Sequence, residues 1–441
     1  MRQWEMTRIN SEILRIAVPS IVANVTIPLL GLIDTAIAGH LGEAETIGAI
    51  AVGSMIFNII YWGFGFLRSG TSGLTAQATG AGDNREISRL LQHSLGLAVI
   101  IALTLMVLQR PICALALWTI GPSEQVAALA RSYFAIVIWG ALPTLVMMSV
   151  KGWLLGRQDS VHPMLISVGV NLLNIVASLV AVFGFGMGLM GVAIGTCVAQ
   201  WLGLAYSAGV MLRHHRAELR AVSLRGLFGL SDARRFLRVN NHIFLRTAIM
   251  MAVTTFFMAA GARSGDMVLA VNSLIMQLFT LFSYFMDGVA NAGEAVMGKY
   301  YGMGNRGGMA SCLRGLLLWA SLITLMFTVI YLVAPRQIFS LLTSSAAVVE
   351  AGMEYRYWCL LIPVCGALAF VWDGVYIGVG RTGDMLVTVA AAGAVFFGLY
   401  WVLPVEWGNN RLWTAFIAYL VVRSVMQTVL WKKVKVKKVR C

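Results

Sequence analysis

The chain has 441 residues, of which 59% are hydrophobic and only 12% are charged. Soluble globular proteins carry about 25% charged residues, because charge covers their water-facing surface. This composition excludes an ordinary soluble domain and indicates a surface that faces lipid. The formal net charge is +14. The cations lie in short loops and at the C-terminus rather than on one basic face, so we expect no nucleic-acid partner.

The six cysteines are scattered, mostly within apolar segments, and form no CxxC pair. This spacing indicates neither a disulfide framework nor a zinc site, and we expect no metal or organic cofactor. The polar N-terminus leads into a long apolar segment without a small-residue cleavage site. It therefore does not have the pattern of a cleaved signal peptide.

Twelve apolar segments follow one another along the chain. Most of them are close in length to the about 20 residues that a membrane-crossing helix needs. Backbone polar groups in lipid must be hydrogen-bonded within the segment, which favours helices. The predicted fold class is an all-α membrane protein with about twelve transmembrane helices. The segments are 13–38, 47–67, 88–108, 127–150, 163–184, 189–212, 240–261, 267–290, 310–333, 353–376, 385–404 and 412–431.

The loop charges predict the orientation. If the N-terminus is cytoplasmic, 24 Lys and Arg residues fall on the cytoplasmic side and five on the other. The positive-inside rule then places both termini in the cytoplasm. We expect a multi-pass protein of a bacterial inner membrane.

The two halves of the chain repeat each other. AVGSMIF at 51–57 matches AVNSLIM at 270–276, GAGDNR at 80–85 matches GMGNR at 302–306, and Gly156-Arg157 matches Gly380-Arg381, at offsets of about 219–224 residues. The sequence predicts two parallel six-helix bundles, 1–212 and 240–431, with a basic cytoplasmic linker at 213–239 and a basic tail at 432–441. Two such halves around a shared cavity are typical of alternating-access transporters.

Several segments resemble the multidrug and toxic compound extrusion (MATE) family, and within it the branch of the DNA-damage-inducible protein F. They include VPSIVANVTIPLLGLIDTAIAGHLG, SGLTAQATGAGDNREISRLL, KGWLLGRQDSVHPML and GVYIGVGRTGD. The resemblance covers essentially the whole chain. It implies twelve helices in two lobes, a central cavity, and cation-coupled export of organic, often cationic, amphiphiles.

Four carboxylates lie well inside the predicted segments. A charge near the bilayer centre costs several kcal/mol, so such residues are functional candidates, although a structural ion pair would also explain them. A carboxylate held away from water binds a proton more readily, as a proton-coupled carrier requires. The four acids are Asp34, Asp287, Glu294 and Asp373.

The resemblance implies a cation-coupling site around Asp34, the family's first-helix acid. Many members place opposite it an Asn and an Asp on span five and a Thr on span six. Here those positions read Asn174, Ser178 and Thr196, so the second carboxylate is missing. Asn171, one turn before Asn174, is a further candidate. Polar side chains in spans also serve as ordinary interhelical hydrogen-bonding groups.

The second half contains the candidate substrate-binding residues. Asp373, shortly before Tyr376, has Ser149 as its counterpart in the repeat, so this acid breaks the internal symmetry and is expected to face a cationic substrate. A bond to a neighbouring hydroxyl or arginine is the alternative.

Further cavity candidates lie on spans eight and two. Asp287 and Glu294 are seven residues apart, which predicts a shared helix face. Arg68 takes the place of Asp287 in the repeat and is expected to bridge a carboxylate or cap an interface. Arg246 and Arg423 are equally ambiguous and are not assigned to a site.

The leading hypothesis is a monomeric secondary antiporter that exports organic, cationic or amphiphilic compounds in exchange for protons. Sodium coupling is an alternative, as is a flippase for a lipid-linked precursor, which a cationic cavity would favour. The expected partners are small organic molecules and membrane lipids. A channel, a receptor or an intramembrane enzyme fits poorly, because the chain shows no pore-loop signature, no attached domain and no paired catalytic His or Ser.

Overall fold

A computed structural model describes the backbone of residues 2–40, 44–220 and 234–432, and their side chains except those of residues 2–5, 34, 35, 38 and 44. The described residues are almost entirely helical and include no strand. Twelve of the helical stretches are long and apolar enough to cross a membrane. The predicted all-α fold with about twelve transmembrane helices is therefore confirmed.

The first half of the chain contributes ten helices to the described residues. They are α1 (Arg2–His40), α2 (Ala44–Gly63), α3 (Phe66–Ala81), α4 (Asn84–Val107), α5 (Gln109–Ile120), α6 (Glu124–Val137), α7 (Ala141–Gly156), α8 (Val161–Leu179), α9 (Gly188–His214) and α10 (Arg216–Arg220).

The second half contributes nine more. They are α11 (Arg234–Arg263), α12 (Asp266–Ala292), α13 (Gly298–Gly302), α14 (Arg306–Val333), α15 (Pro335–Leu342), α16 (Ala346–Glu354), α17 (Arg356–Gly378), α18 (Thr382–Val402) and α19 (Asn409–Trp431). A π-helical turn, Gly293–Met297, joins α12 to α13, and another, Val180–Gly184, follows α8.

Spans two and eight are much longer than their apolar segments. They cover 45–81 and 266–302, 37 residues each, whereas the sequence predicted 47–67 and 267–290. Their added turns are rich in glycine and small polar residues, and twelve of the sixteen residues of α3 are buried. Hydropathy detects contact with lipid, and it misses a helix that continues inside the protein.

Internal contacts divide the chain into two compact units. One contains residues 22–240, and the other contains residues 1–21 together with 241–441. The first 21 residues therefore group with the second half of the chain, whereas the sequence placed all of 1–212 in one lobe. Residues 221–233 of the predicted linker and 433–441 of the predicted tail lie outside the described residues. The arrangement of two lobes around a shared cavity stays a prediction.

Four of the six pairs of spans begin at a nearly constant offset. Spans two, three, five and six begin at residues 45, 84, 161 and 188, and spans eight, nine, eleven and twelve begin at 266, 306, 382 and 409. Each pair is separated by 221 or 222 residues. The two units therefore share one order of helices, as the sequence repeat indicates.

In the second unit, two glycines of α17 allow very close helix packing. A Cβ at Gly374 would lie 2.2 Å from the carbonyl oxygen of Ala290, and one at Gly378 would lie 2.9 Å from that of Glu294. Positions four apart share a helix face, so both glycines press α17 against the backbone of α12 and the π-helical turn. Small residues at this spacing let membrane helices approach closely.

The first unit contains the same contact between α7 and α3. A Cβ at Gly152 would lie 2.2 Å from the carbonyl oxygen of Arg68, and one at Gly156 would lie 2.6 Å from that of Ser72. These contacts make Arg68 and Ala290 equivalent positions of the repeat, 222 residues apart. The prediction that Arg68 occupies the place of Asp287 is therefore wrong, because it relied on the offset of a different segment.

The same offset changes the counterpart of Asp373. The left-handed residues that follow the two glycine helices are Gln158 (φ 68°) and Gly380 (φ 74°), again 222 apart. Asp373 then pairs with Lys151 rather than with Ser149. The sequence alignment had slipped by two residues because it matched the two Gly-Arg pairs, which occupy different places in the two turns.

We expect Gly374→Ala to lower the free energy of unfolding by about 1–3 kcal/mol, the usual cost of overpacking. The added methyl group would collide with a backbone carbonyl, which cannot rotate away as a side chain can. Thermal unfolding of the detergent-solubilised protein measures the change.

Gly398→Ala is the matched control, because Gly398 also lies within a helix but has nothing within 4 Å of an added Cβ. This control should be neutral or slightly stabilising, since Ala is the better helix former. Equal unfolding temperatures for the two variants would show that the α12–α17 contact is not tight.

Candidate functional site

An amide–hydroxyl cluster joins α8 to α9. The Oδ1 atom of Asn174 accepts hydrogen bonds from the Ser178 hydroxyl at 3.0 Å and from the Thr196 hydroxyl at 3.4 Å. Thr196 also lies 3.0 Å from the carbonyl oxygen of Val192, so its one proton alternates between the two acceptors. Asn174 and Ser178 are buried. The structure thus brings together three of the residues predicted to couple cations.

The packing at Ser178 accommodates a short side chain. A Cβ at Gly195 on α9 would lie only 2.5 Å from the Ser178 hydroxyl oxygen, so the glycine makes room for that hydroxyl. The family pattern has a carboxylate here, which is bulkier and charged. The hydroxyl therefore forms part of an uncharged contact between the two helices.

Asn171 contacts a different partner from the rest of the predicted set. Its side-chain nitrogen donates to the Thr26 hydroxyl at 2.8 Å, and Thr26 donates to the carbonyl oxygen of Ala23 at 2.7 Å. This bond ties α8 to the later part of α1. Asp34 lies further along α1, but its side chain is outside the described residues.

Two of the cations in the first unit's spans lie on α3 and α7. Arg68 on α3 donates to the Ser69 hydroxyl at 3.1 Å, and Lys151 on α7 donates to the Ser167 hydroxyl at 3.3 Å. The two charges are close enough to interact electrostatically. Lys151 was predicted in a cytoplasmic loop, whereas the structure places it within span four, 124–156.

In the second unit, Asp373 is the centre of a charged cluster. Its Oδ2 atom accepts hydrogen bonds from Arg246 and, at 2.6 Å, from Arg423, and its Oδ1 atom accepts one from Gln427 at 3.0 Å. The donors come from α11 and α19, so the carboxylate of α17 joins three helices.

This geometry corrects the expectation that Asp373 is an unpaired acid facing a cationic substrate. The residue is only 6% exposed and Arg423 only 2%, and both form buried ion pairs. The observed contacts match the alternative prediction, in which Asp373 bonds to a neighbouring arginine. The sequence did contain a signal, since isolated charges in spans seven, ten and twelve need partners inside the protein.

Tyr376 is likewise enclosed. It is fully buried, and its hydroxyl donates to the carbonyl oxygen of Gln427 at 2.7 Å. One turn earlier, the Trp372 indole donates to the Thr428 hydroxyl at 2.8 Å. Both residues hold α17 against α19, so the structure does not present Tyr376 to a ligand as predicted.

Asp287 and Glu294 lie in different environments. Asp287 is partly exposed on α12, whereas Glu294 is 3% exposed within the π-helical turn. Only the last two residues of the seven-residue spacing belong to the π turn. The shared helix face of the two acids stays a prediction.

Glu12 is an acid that the sequence reading missed. Its carboxylate accepts hydrogen bonds from Lys299 at 3.0 Å and from the Tyr300 hydroxyl at 3.1 Å, and it also pairs with Arg8 at 3.3 Å. The predicted first span began at residue 13, while the apolar stretch of α1 covers 6–33. Glu12 was therefore counted as part of a polar N-terminus.

We expect Asp373→Asn to destabilise the protein by about 3–5 kcal/mol, because it leaves the buried Arg423 and the partly exposed Arg246 without a counterion. Replacing an unpaired acid would instead leave folding near normal. The unfolding temperature of the purified protein in detergent provides the measurement.

Asp266→Asn serves as its control, because Asp266 is exposed in the first turn of α12 and forms no buried pair. The control should change stability little. A wild-type unfolding temperature for Asp373→Asn would show that the cluster is not an ion-pair network.

Comparison with known proteins agrees with this architecture. The MatE family model matches residues 19–180 and 243–399. DNA damage-inducible protein F of Escherichia coli is 34% identical over 97% of this chain and 93% of the relative. The probable multidrug resistance protein NorM of Deinococcus radiodurans is 28% identical over 94% of this chain and 93% of its own length.

Solved structures show the same fold. The eukaryotic MATE transporter AtDTX14 superposes with a TM-score of 0.85 at 18% identity, covering 98% of this chain and 97% of its own. An outward-facing multidrug resistance MATE family transporter of the MOP superfamily gives 0.84 at 20% identity over 96% and 95%. With its two-part family match, twelve apolar helices and a relative at 34% identity, the chain belongs to the MatE family of multidrug and toxic compound efflux transporters.

Proposed function

We propose that this protein exports organic compounds by antiport with protons, and that Asp34 carries the coupling proton. The observation that supports this most directly is the amide–hydroxyl cluster, which contains no second carboxylate. The proposal further places the protein as a monomer in a bacterial inner membrane, with both termini in the cytoplasm. Its relatives' names, which include multidrug resistance proteins, support small organic substrates.

The amide oxygen of the cluster and the nearby hydroxyl oxygen of Thr26 already accept hydrogen bonds. Asn174 Oδ1 accepts two hydroxyl donors and Thr26 Oγ1 accepts the Asn171 amide. A sodium ion needs several fixed oxygens whose lone pairs point at it. Proton binding needs only one carboxylate that can be neutralised, so the committed hydrogen bonds favour proton coupling over sodium coupling.

Backbone positions support Asp34 as that carboxylate. Asp34 lies eight residues beyond Thr26 on α1, and Ser178 lies seven residues beyond Asn171 on α8. A helix rises 1.5 Å per residue, so both positions are about 10–12 Å along their helices from the Thr26–Asn171 bond. Spans one and five run in the same direction in a chain that crosses the membrane at each span. Asp34 and Ser178 therefore lie at a similar depth.

A flippase for a lipid-linked precursor is the second candidate. The specific observation in its favour is the arginine pair at Asp373, because precursors of this kind carry phosphate. The pairing of Asp373 also removes the main reason for preferring cationic substrates. Efflux of a small soluble dye, compared with flipping of a fluorescent anionic phospholipid in the same vesicles, separates the two candidates.

We expect Asp34→Asn to abolish transport driven by a proton gradient, because an amide cannot take up and release the coupling proton. The assay uses proteoliposomes loaded with ethidium or with uncharged N-phenylnaphthylamine, under separately imposed proton and sodium gradients. Efflux from the variant should fall to the rate of protein-free liposomes.

Asp83→Asn is the matched control. Asp83 caps α4 by accepting from the Glu86 backbone nitrogen at 2.9 Å, and Asn caps a helix equally well. This variant should transport like the wild type. Gradient-driven efflux that survives in Asp34→Asn would remove Asp34 from the mechanism. Wild-type efflux that follows sodium and ignores pH would make sodium the coupling ion.

A further inference from the structure

The cluster around Asp373 contains more positive than negative charge. Arg246 and Arg423 both donate to the same carboxylate oxygen of Asp373. In the described part of the chain, neither guanidinium forms an ion pair with any other carboxylate. Arg381, which follows the end of α17, forms a separate ion pair with Asp384 at 2.6 Å. With all groups ionised, the cluster holds one unbalanced positive charge inside an apolar helical unit.

The hydrogen bonding of the cluster is also incomplete. The Nε atoms of Arg246 and Arg423 and the Oε1 atom of Gln427 are buried and have no hydrogen-bond partner. Buried donors are normally satisfied, because an unmade bond is costly in a dry environment. The two guanidinium groups therefore each keep one N–H group that can still donate to an acceptor.

The two arginines have different supports. Arg423 is held by three features: its bond to Asp373, a 3.5 Å contact with the Tyr419 hydroxyl, and its position 5.4 Å from the centre of the Tyr419 ring. Among the described residues, Asp373 is the one polar partner of Arg246, whose side chain is 13% exposed, against 2% for Arg423. Arg423 therefore fixes the carboxylate, and Arg246 is the more accessible of the two arginines.

We propose that Arg246 binds a singly charged oxyanion, a carboxylate or a sulfonate, on the amphiphilic compound that the protein exports. Asp373 and Arg423 act as positioning residues that hold the guanidinium in place. One monovalent anion would neutralise the cluster and accept hydrogen bonds from its guanidinium groups, and arginine forms strong charge-assisted bonds with such groups. The inference rests on the proposed export function, because it names the class of compound exported.

A matched pair of dyes tests the site. Anilinonaphthalenesulfonate and N-phenylnaphthylamine share their aromatic rings and differ in the sulfonate. The wild-type protein in proteoliposomes should export both under a proton gradient. Arg246→Gln should raise the KM for the sulfonate dye about tenfold or more, as expected for the loss of one charge-assisted bond. Export of the uncharged dye should stay within about twofold of the wild type.

The variants are chosen so that folding does not decide the result. Arg246→Gln keeps the Asp373–Arg423 ion pair and removes only the unbalanced charge. Arg246→Lys keeps the charge and should retain part of the preference for the sulfonate. Arg263→Gln removes one positive charge from the exposed end of the same helix and should leave both dyes unaffected.

The same vesicles show whether the oxyanion belongs to a soluble compound or to a lipid headgroup. If Arg246→Gln slows flipping of a fluorescent anionic phospholipid and spares the sulfonate dye, the site is confirmed and its oxyanion is a lipid headgroup. Equal losses for the charged and uncharged dyes, or no loss for the sulfonate dye and the lipid, would overturn the proposal.

A binding measurement separates this inference from the proposed function. Calorimetric titration of the detergent-solubilised protein with octanesulfonate, using octanol as the uncharged match, requires no transport. If no dye moves under a proton gradient but octanesulfonate binds the wild type about tenfold more tightly than Arg246→Gln, the export function fails and the anion site stands. If both dyes move and the two proteins bind octanesulfonate equally, the export function stands and the anion site fails.

Discussion

Charged side chains inside apolar helices must find their partners within the protein, because hydrocarbon offers them none. Asp373 shows how this constraint shapes the second unit. Its carboxylate receives donors from α11 and α19, so three helices far apart in sequence are fixed by one group. Glu12 does the same between α1 and α13 through Lys299 and Tyr300. This contact lies within the unit that groups residues 1–21 with the second half of the chain.

The glycine contacts are the feature that the two units share. A Cβ added at Gly152 or at Gly374 would lie 2.2 Å from a carbonyl oxygen of the facing helix, and the two glycines occupy equivalent places of the repeat. Lipid tails do not drive helices together, so close packing of this kind supplies much of the attraction between them. Because the backbone contact is the same, the side chains beside it are free to differ. The equivalent positions Lys151 and Asp373 carry opposite charges on one scaffold.

Hydropathy was sufficient to predict the twelve spans and the order of the repeat, since lipid contact imposes an apolar composition that can be seen in single segments. It could not predict where helices end inside the protein, which is why Glu12 fell outside the predicted first span. It also could not pair Asp373 with Arg246 and Arg423, because those residues meet only through the packing of three helices. Asn174, Ser178 and Thr196 were brought together by the family resemblance rather than by any local pattern.

The two polar clusters differ in their response to protons. The first is built from amides and hydroxyls, which do not titrate near neutral pH, so a single carboxylate placed beside them would change the local charge by a full unit on binding a proton. The second contains two guanidinium groups, which stay charged at all physiological pH values. Its positive charge would therefore persist through the proposed transport cycle, in which an acid elsewhere gains and loses a proton. The two proposals, proton coupling in the first unit and recognition of the substrate's charge in the second, are thus chemically compatible.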